Sequence, residues 1–252
     1  IEGDLFIDCT GFSAYLIGDV LKVPFVDRSD TLFVDRAISI QVPYDRPDHP
    51  IASGTIATAQ KDGWIWDIGL QTRRGIGHVY SSSHASDDDA ESVLRDYVGP
   101  QADNLSVNSF RFKVGHREKL WHKNCIAVGF SGYFVEPLEA TAMFLVETAA
   151  TLLKDIFPHH SSMMSLAEKK YNESMLHRGN RIFDFIKMHY YLSKRDDSDF
   201  WISNRDKSSV SEKLLDDLES WRYRMPSVFD FRDTSESQTS SSYKSILYGM
   251  GY

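Results

Sequence analysis

The chain predicts an α+β fold, a mixed or antiparallel sheet followed by a helical module. Three observations carry this. From Thr31 to Arg117 the sequence is β-branched, alternating and broken by turn residues. From Pro137 onward, apolar residues recur at three- and four-residue steps. Of the 252 residues, 42% are hydrophobic, enough to fill a sizeable core around both kinds of element.

The elements follow in order. Residues 1–12 read as a strand, buried at Leu5 to Ile7, that ends in the polar and turn residues Asp8, Thr10 and Gly11. "LFVDRAISIQV" and "SGTIATAQ" read as strands separated by the loop "PYDRPDHP". "DGWIWDIGLQ" and "GIGHVYSSS", joined through "TRRG", read as an antiparallel pair. Trp64 and Trp66 then share one face, which packing alone would explain. Arg73 and Arg74 read as a solvated hairpin face ahead of a phosphate contact. In "SDDDAESVLRDYVG", Ser86 is the expected N-cap, and Asp87 to Asp89 complement the helix dipole better than they suggest a metal site.

"NCIAVGF" reads as a buried strand. A helix is expected from Pro137 to about Phe157, with Leu138, Ala142, Leu145, Val146, Ala149, Leu152, Leu153 and Ile156 on its buried stripe. His159 and His160 lack ligand spacing and belong in a loop. Ser165 with Glu168, and Ser209 with Glu212, have the spacing of capping boxes opening two further helices. "KRDDSD" reads as a polar break between those helices and "DTSESQTSSS" as a polar loop. His189, among aromatics, reads as a hydrogen-bonded core histidine; His78, His116 and His122 show no metal spacing.

The bulk numbers exclude some functions. A net charge of −8 argues against a nucleic-acid partner. No run of 18 apolar residues or signal peptide is apparent, so a cytoplasmic location is the default. Cys9 and Cys125 are expected as buried thiols and not as a disulfide. The chain opens inside strand-like text without an initiator Met and closes on the apolar run "SILYGMGY", as a fragment of a longer protein would.

The stretch richest in chemistry is "NCIAVGFSGYFVEPLEATA", Asn124 to Ala142. A strand, a glycine turn and a helix start present unpaired amides and the positive end of a helix dipole. Glu139 beside that terminus has two readings. It complements the dipole, worth roughly 0.3–1 kcal/mol, or it is a proton acceptor beside a bound ligand.

"GDLFIDCTGF", "GWIWDIG", "GIGHVYSS", "GHREKLWHKNCIAVGFSGYFVEPLEATA", "FDFIKMHYYLSKRDDSDFW" and "LYGMG" run in order from residue 3 to the end. Together they resemble the second half of the flavin-dependent tryptophan halogenases. The resemblance implies the fold of the FAD-dependent aromatic hydroxylases. Residues 1–157 would form the second part of the flavin-binding core and residues 158–252 a substrate-side helical module. The GxGxxG segment and the family's catalytic lysine find no match in this chain.

The resemblance also implies an activity. Reduced FAD, supplied by a separate flavin reductase, would react with oxygen and chloride or bromide to give hypohalous acid. That oxidant would halogenate an aromatic small molecule such as an indole or tryptophan-like arene. By position, Glu139 is the implied catalytic carboxylate, and Thr141 and Ala142 supply halide-binding amides. Asp8, Gly11, Gly129 and Gly132 fall where the family wraps its flavin. Tyr190, Tyr191, Phe200 and Trp201 fall in the segment over the substrate, and Trp64 and Trp66 in the family's tryptophan motif. A homodimer is expected, with no nucleic acid, membrane or metal.

Two departures stand out. Gly69 replaces the proline that usually closes the tryptophan motif, and "EATA" replaces the commoner "ESTG". The second points to the subgroup acting on indole-type compounds. The first keeps a flavin-dependent aromatic hydroxylase as the alternative, alongside a non-catalytic remnant that binds aromatics. By this reading the fragment alone neither binds FAD well nor halogenates.

Overall fold

In the computed structural model, residues 2–232 and 236–252 are described. Part of the expected loop "DTSESQTSSS", residues 233–235, lies outside them. The chain is α+β, and it folds as two compact units that each draw on separated segments. The expected contiguous division at residue 157 is not the one the contacts make. One unit comprises residues 1–32, 114–193 and 207–252; the other comprises 33–113 and 194–206.

The second unit is built on one antiparallel sheet. Its strands are β3 (Arg36–Pro43), β4 (Ile56–Gln60), β5 (Gly63–Gly69), β6 (Arg73–Tyr80) and β7 (Val107–Arg111), in the order β4-β5-β6-β3-β7. The expected Trp–Arg hairpin is β5 against β6, in a register that sets Trp66 opposite Gly77. A Cβ at Gly77 would lie 2.1 Å from the Trp66 ring, so only glycine admits that indole. Trp64 and Trp66 do share a face, their rings 6.3 Å apart edge-on. Helix α1 (Asp87–Val98) starts at Ser86 with a reciprocal capping box through Asp89. It packs Ala90 and Leu94 onto Ile38, Ile40, Ile65 and Ile76, the apolar face the strand alternation produces. The short helix α4 (Asp199–Ser203) completes this unit.

The first unit holds two small three-stranded sheets. In one, β1 (Phe6–Asp8) runs parallel to β10 (Cys125–Ala127), which pairs antiparallel with β9 (Trp121–His122). In the other, β8 (Gly115–Arg117) lies between β2 (Phe25–Asp27) and β11 (Tyr133–Phe134). The long helices α2 (Thr141–Ile156) and α3 (Met164–Tyr191) pack on each other. Helices α5 (Glu212–Trp221) and α6 (Ser240–Met250) bury Leu214, Leu218, Trp221, Tyr243 and Leu247 against Phe185 and Met188 of α3.

Several expected boundaries move. The first strand is only three residues long, and its Ile7 is exposed. Cys125 is buried but Cys9 is exposed; both are free thiols. Helix α3 begins at Met164 with no side-chain cap, so Ser165 and Glu168 lie inside it and do not open it. The cap of α5 is Ser211, whose hydroxyl accepts the Leu214 amide; Ser209 sits in a preceding turn. The serines of the expected polar loop from Ser240 on already belong to α6. Among the described residues, no helix is long and apolar enough to cross a membrane.

Candidate active site

The site begins at the end of β1. Asp8 is fully buried, and its carboxylate is wholly engaged by its own chain. Oδ1 accepts the Thr10 amide at 3.0 Å and the Thr10 hydroxyl at 2.6 Å. Oδ2 accepts the Leu16 and Ile17 amides at 2.9 and 2.8 Å. Burial alone would push this carboxyl up, but the four donors outweigh it and hold the group below the usual carboxylate range. The loop they fix carries Gly11 at φ +68° on its outer side.

The Asp8 carbonyl ties this loop to a second one. It accepts the Val128 amide at 3.0 Å and the Ser131 hydroxyl at 2.5 Å. Ser131 belongs to the turn Gly129–Ser131, where Gly129 has φ +70°. A Cβ at Gly11 would meet nothing within 4 Å, and one at Gly129 only Val146, at 3.7 Å. The two turns therefore offer open backbone to a ligand. Gly132 differs: its Cβ would come within 2.8 Å of Leu120, so this glycine serves packing. Phe12 and Phe130 project from the two turns, stacked at 4.9 Å and both exposed.

The expected turn from strand straight into helix is corrected here. After Gly132 the chain forms β11, then a tight turn Leu138–Ala140, and α2 starts only at Thr141. Glu139 and Ala140 sit in the turn with left-handed backbones, φ 63° and 53°. Each such residue costs of order 1–3 kcal/mol when it is not glycine, and the surroundings must over-determine it. Glu139 is thus not a first-turn dipole complement; it stands ahead of the helix. No side chain caps α2, so the amides of Thr141 and Ala142 are among the orphan donors of its first turn. The Thr141 hydroxyl is buried with no hydrogen-bond partner among the described residues.

Glu139 meets α3. Its Oε1 lies 3.3 Å from His189 Nε2, and this contact holds the carboxyl below its ordinary value despite partial burial. The histidine is hydrogen-bonded, as the sequence suggested, and it also meets Glu139. Nearby, the fully buried Glu136 accepts the Tyr190 hydroxyl at 2.7 Å. Tyr191 packs on the α5–α6 core.

The remaining candidates belong to the sheet unit. Phe200 is fully buried, edge-on to His84 at 5.6 Å. Trp201 is nearly buried; its Nε1 donates to the Gln60 carbonyl at 2.8 Å and the Arg195 guanidinium lies over its ring. The hairpin face is solvated at Arg73, which donates to Gln41 at 2.7 Å, while the half-buried Arg74 also forms an ion pair with the buried Asp67. A Cβ at Gly69 would come 2.9 Å from Ile51 and 3.1 Å from the Ala52 amide, so local crowding accounts for glycine there. No metal-binding group of three or more His, Cys, Asp or Glu occurs among the described residues.

The tryptophan halogenase profile matches residues 1–252, the whole chain. The chain belongs to the tryptophan halogenase family. Among curated relatives, a tryptophan 6-halogenase from Streptomyces toxytricini is 37% identical over 251 residues, covering 100% of this chain and 48% of the relative. A tryptophan 7-halogenase from Lentzea aerocolonigenes is 36% identical, over 81% of this chain and 38% of its own length. A crystal structure of a tryptophan halogenase from Shewanella frigidimarina superposes with TM-score 0.97 at 43% identity, over 100% of this chain and 48% of that one. The chain spans about half the length of the relatives it matches. At this site the Gly11 and Gly129 turns are the two with open backbone. Asp8 and Gly132 hold those turns from behind.

Proposed function

We propose that the whole protein is a flavin-dependent halogenase acting on an indole or tryptophan-like arene. Glu139 is the proton acceptor, and the Thr141 and Ala142 amides are the halide site. The observation that carries this is the strained turn at Glu139 and Ala140. It sets a carboxylate immediately ahead of an uncapped helix terminus, and backbone strain of this kind persists where a site needs it.

The open Gly11 and Gly129 turns would hold FAD, with Phe12 and Phe130 flanking it. Reduced flavin, supplied by a separate reductase, provides with oxygen and halide the oxidised halogen. The chain's own residues do the rest. The orphan amides of α2 bind the halide anion, favoured by the helix dipole. Attack of the ring carbon on the halogen of hypohalous acid forms the carbon–halogen bond and breaks the oxygen–halogen bond, releasing hydroxide. The displaced ring proton passes to Glu139 and from it to that hydroxide, giving water. The sum is arene plus hypohalous acid giving haloarene plus water.

The test is incubation of the whole protein with FAD, reductase, NADH, oxygen and indole or tryptophan, with and without chloride or bromide. A halogen isotope doublet in the product mass, absent without halide, is expected. A gain of one oxygen instead would overturn the reading in favour of a hydroxylase. Glu139→Gln is expected to lower turnover by roughly 10²-fold, within the range of general acid–base groups.

A further inference from the structure

His189 is bonded at both ring nitrogens to groups that accept. Nδ1 is 2.8 Å from the Phe185 carbonyl oxygen, one turn earlier on α3. A carbonyl has no proton to give, so Nδ1 carries the hydrogen. Nε2 is 3.3 Å from Glu139 Oε1, and an ionised carboxylate also only accepts. A neutral imidazole in this tautomer would turn a lone pair towards a lone pair. The contact is attractive only when the pair holds one further proton, on Nε2 or on Oε1.

The ring is fixed as well as bonded. Phe185 meets it edge-on at 4.9 Å, and the His189 side chain is only 13% exposed while that of Glu139 is 38% exposed. The histidine thus lies behind the carboxylate, which faces outward. The titratable residues nearest the pair along the chain are Glu136, ahead of the turn, and Lys187, Tyr190 and Tyr191 towards the end of α3. The Tyr190 hydroxyl is given to Glu136. The depression of the Glu139 carboxyl comes first from the hydrogen bond to His189, and burial opposes it.

We infer that Glu139 and His189 form a dyad sharing one exchangeable proton, in which His189 is a positioning residue for the carboxylate that accepts the ring proton. The inference rests on the halogenase reading for the origin of that proton, but the dyad itself does not. In its imidazolium state His189 orients Oε1 and leaves Oε2 free to take a proton. When the pair has lost its shared proton, Nε2 can receive the one that reaches Glu139. No oxidant or reductant enters: a proton moves between two named atoms.

The experiment uses the whole protein, with two readouts. The first is independent of activity: NMR of labelled imidazole nitrogens and glutamate carboxyl carbon. Hydrogen on Nδ1 of His189 is expected in the neutral form, with the Glu139 carboxyl titrating below its ordinary range in wild type and moving up in His189→Leu. A neutral form with hydrogen on Nε2 in place of Nδ1, or a Glu139 titration unchanged in His189→Leu, would overturn the dyad whether or not the protein halogenates. The second is kinetic. His189→Leu is expected to lower kcat about 10-fold with the arene KM within twofold. His189→Gln, which keeps a donor to Oε1, should recover part of kcat yet lack the pH dependence that the wild-type pair imposes. Equal pH profiles in wild type and both variants would reduce His189 to packing. If the protein makes no haloarene but the NMR signature stands, the halogenase reading fails and the dyad survives.

Discussion

Asp8 illustrates how one residue type at one position decides a local structure. Its carboxylate satisfies three amides and one hydroxyl between Thr10 and Ile17. Asparagine would keep one acceptor and turn an NH₂ towards amides that also donate. We expect Asp8→Asn to cost about 1–3 kcal/mol, the penalty for buried donors left unsatisfied. The pH dependence has a definite sign. The folded-state value lies below the ordinary carboxylate value of about 3.9. The stabilisation is therefore present above about pH 4 and lost as pH falls through the lower folded value. Urea denaturation should show the gap between wild type and Asp8→Asn full at pH 7 and narrowing below pH 4. A gap that does not change with pH would show that charge is not what the loop requires.

At the scale of the element, the start of α2 separates stability from function. Ala140 at φ 53° is strained, and glycine would relieve it. Ala140→Gly is expected to raise stability by about 0.5–1 kcal/mol in urea denaturation. It should also lower turnover by loosening the turn that aims Glu139; unchanged turnover would show that the strain is unrelated to the chemistry. This turn was also what the sequence concealed. Pro137 and the apolar periodicity from Leu138 read as an unbroken helix because neither pattern records the sign of φ. Periodicity served well where one face is buried along the whole element. The alternation in "WIWDIG" matches β5, and Ser86 followed by three acids marked the start of α1. The caps of α3 and α5 were misread because Ser-x-x-Glu spacing can also occur within or before a helix. His189 was legible as buried and bonded, but not as a partner of Glu139, since 50 residues separate them and only the fold brings them together.

At the scale of the whole molecule, the path of the chain through two units gives Trp201 a structural task beside the substrate role that the resemblance implies. The resemblance placed it among residues over the substrate. Yet residues 194–206 return to the sheet unit after α3 and close its edge. Strand β4 lies at the end of the strand order, and an edge strand leaves backbone groups unpaired unless something covers them. Here Arg195 Nη1 donates to the Ala59 carbonyl at 3.1 Å, Trp201 Nε1 to Gln60 at 2.8 Å and Ser198 Oγ to Lys61 at 2.5 Å. A segment remote in sequence thereby satisfies three successive carbonyls at the end of β4. Trp201→Phe keeps an aromatic face but removes the middle donor and some buried area. The loss should be about 1–2 kcal/mol, or roughly 2–8 °C in Tm for a chain of this size. Hydrogen exchange at residues 56–61 should quicken with it, while the arene KM stays within twofold. A raised KM with unchanged Tm would instead give the indole ring a place against the substrate.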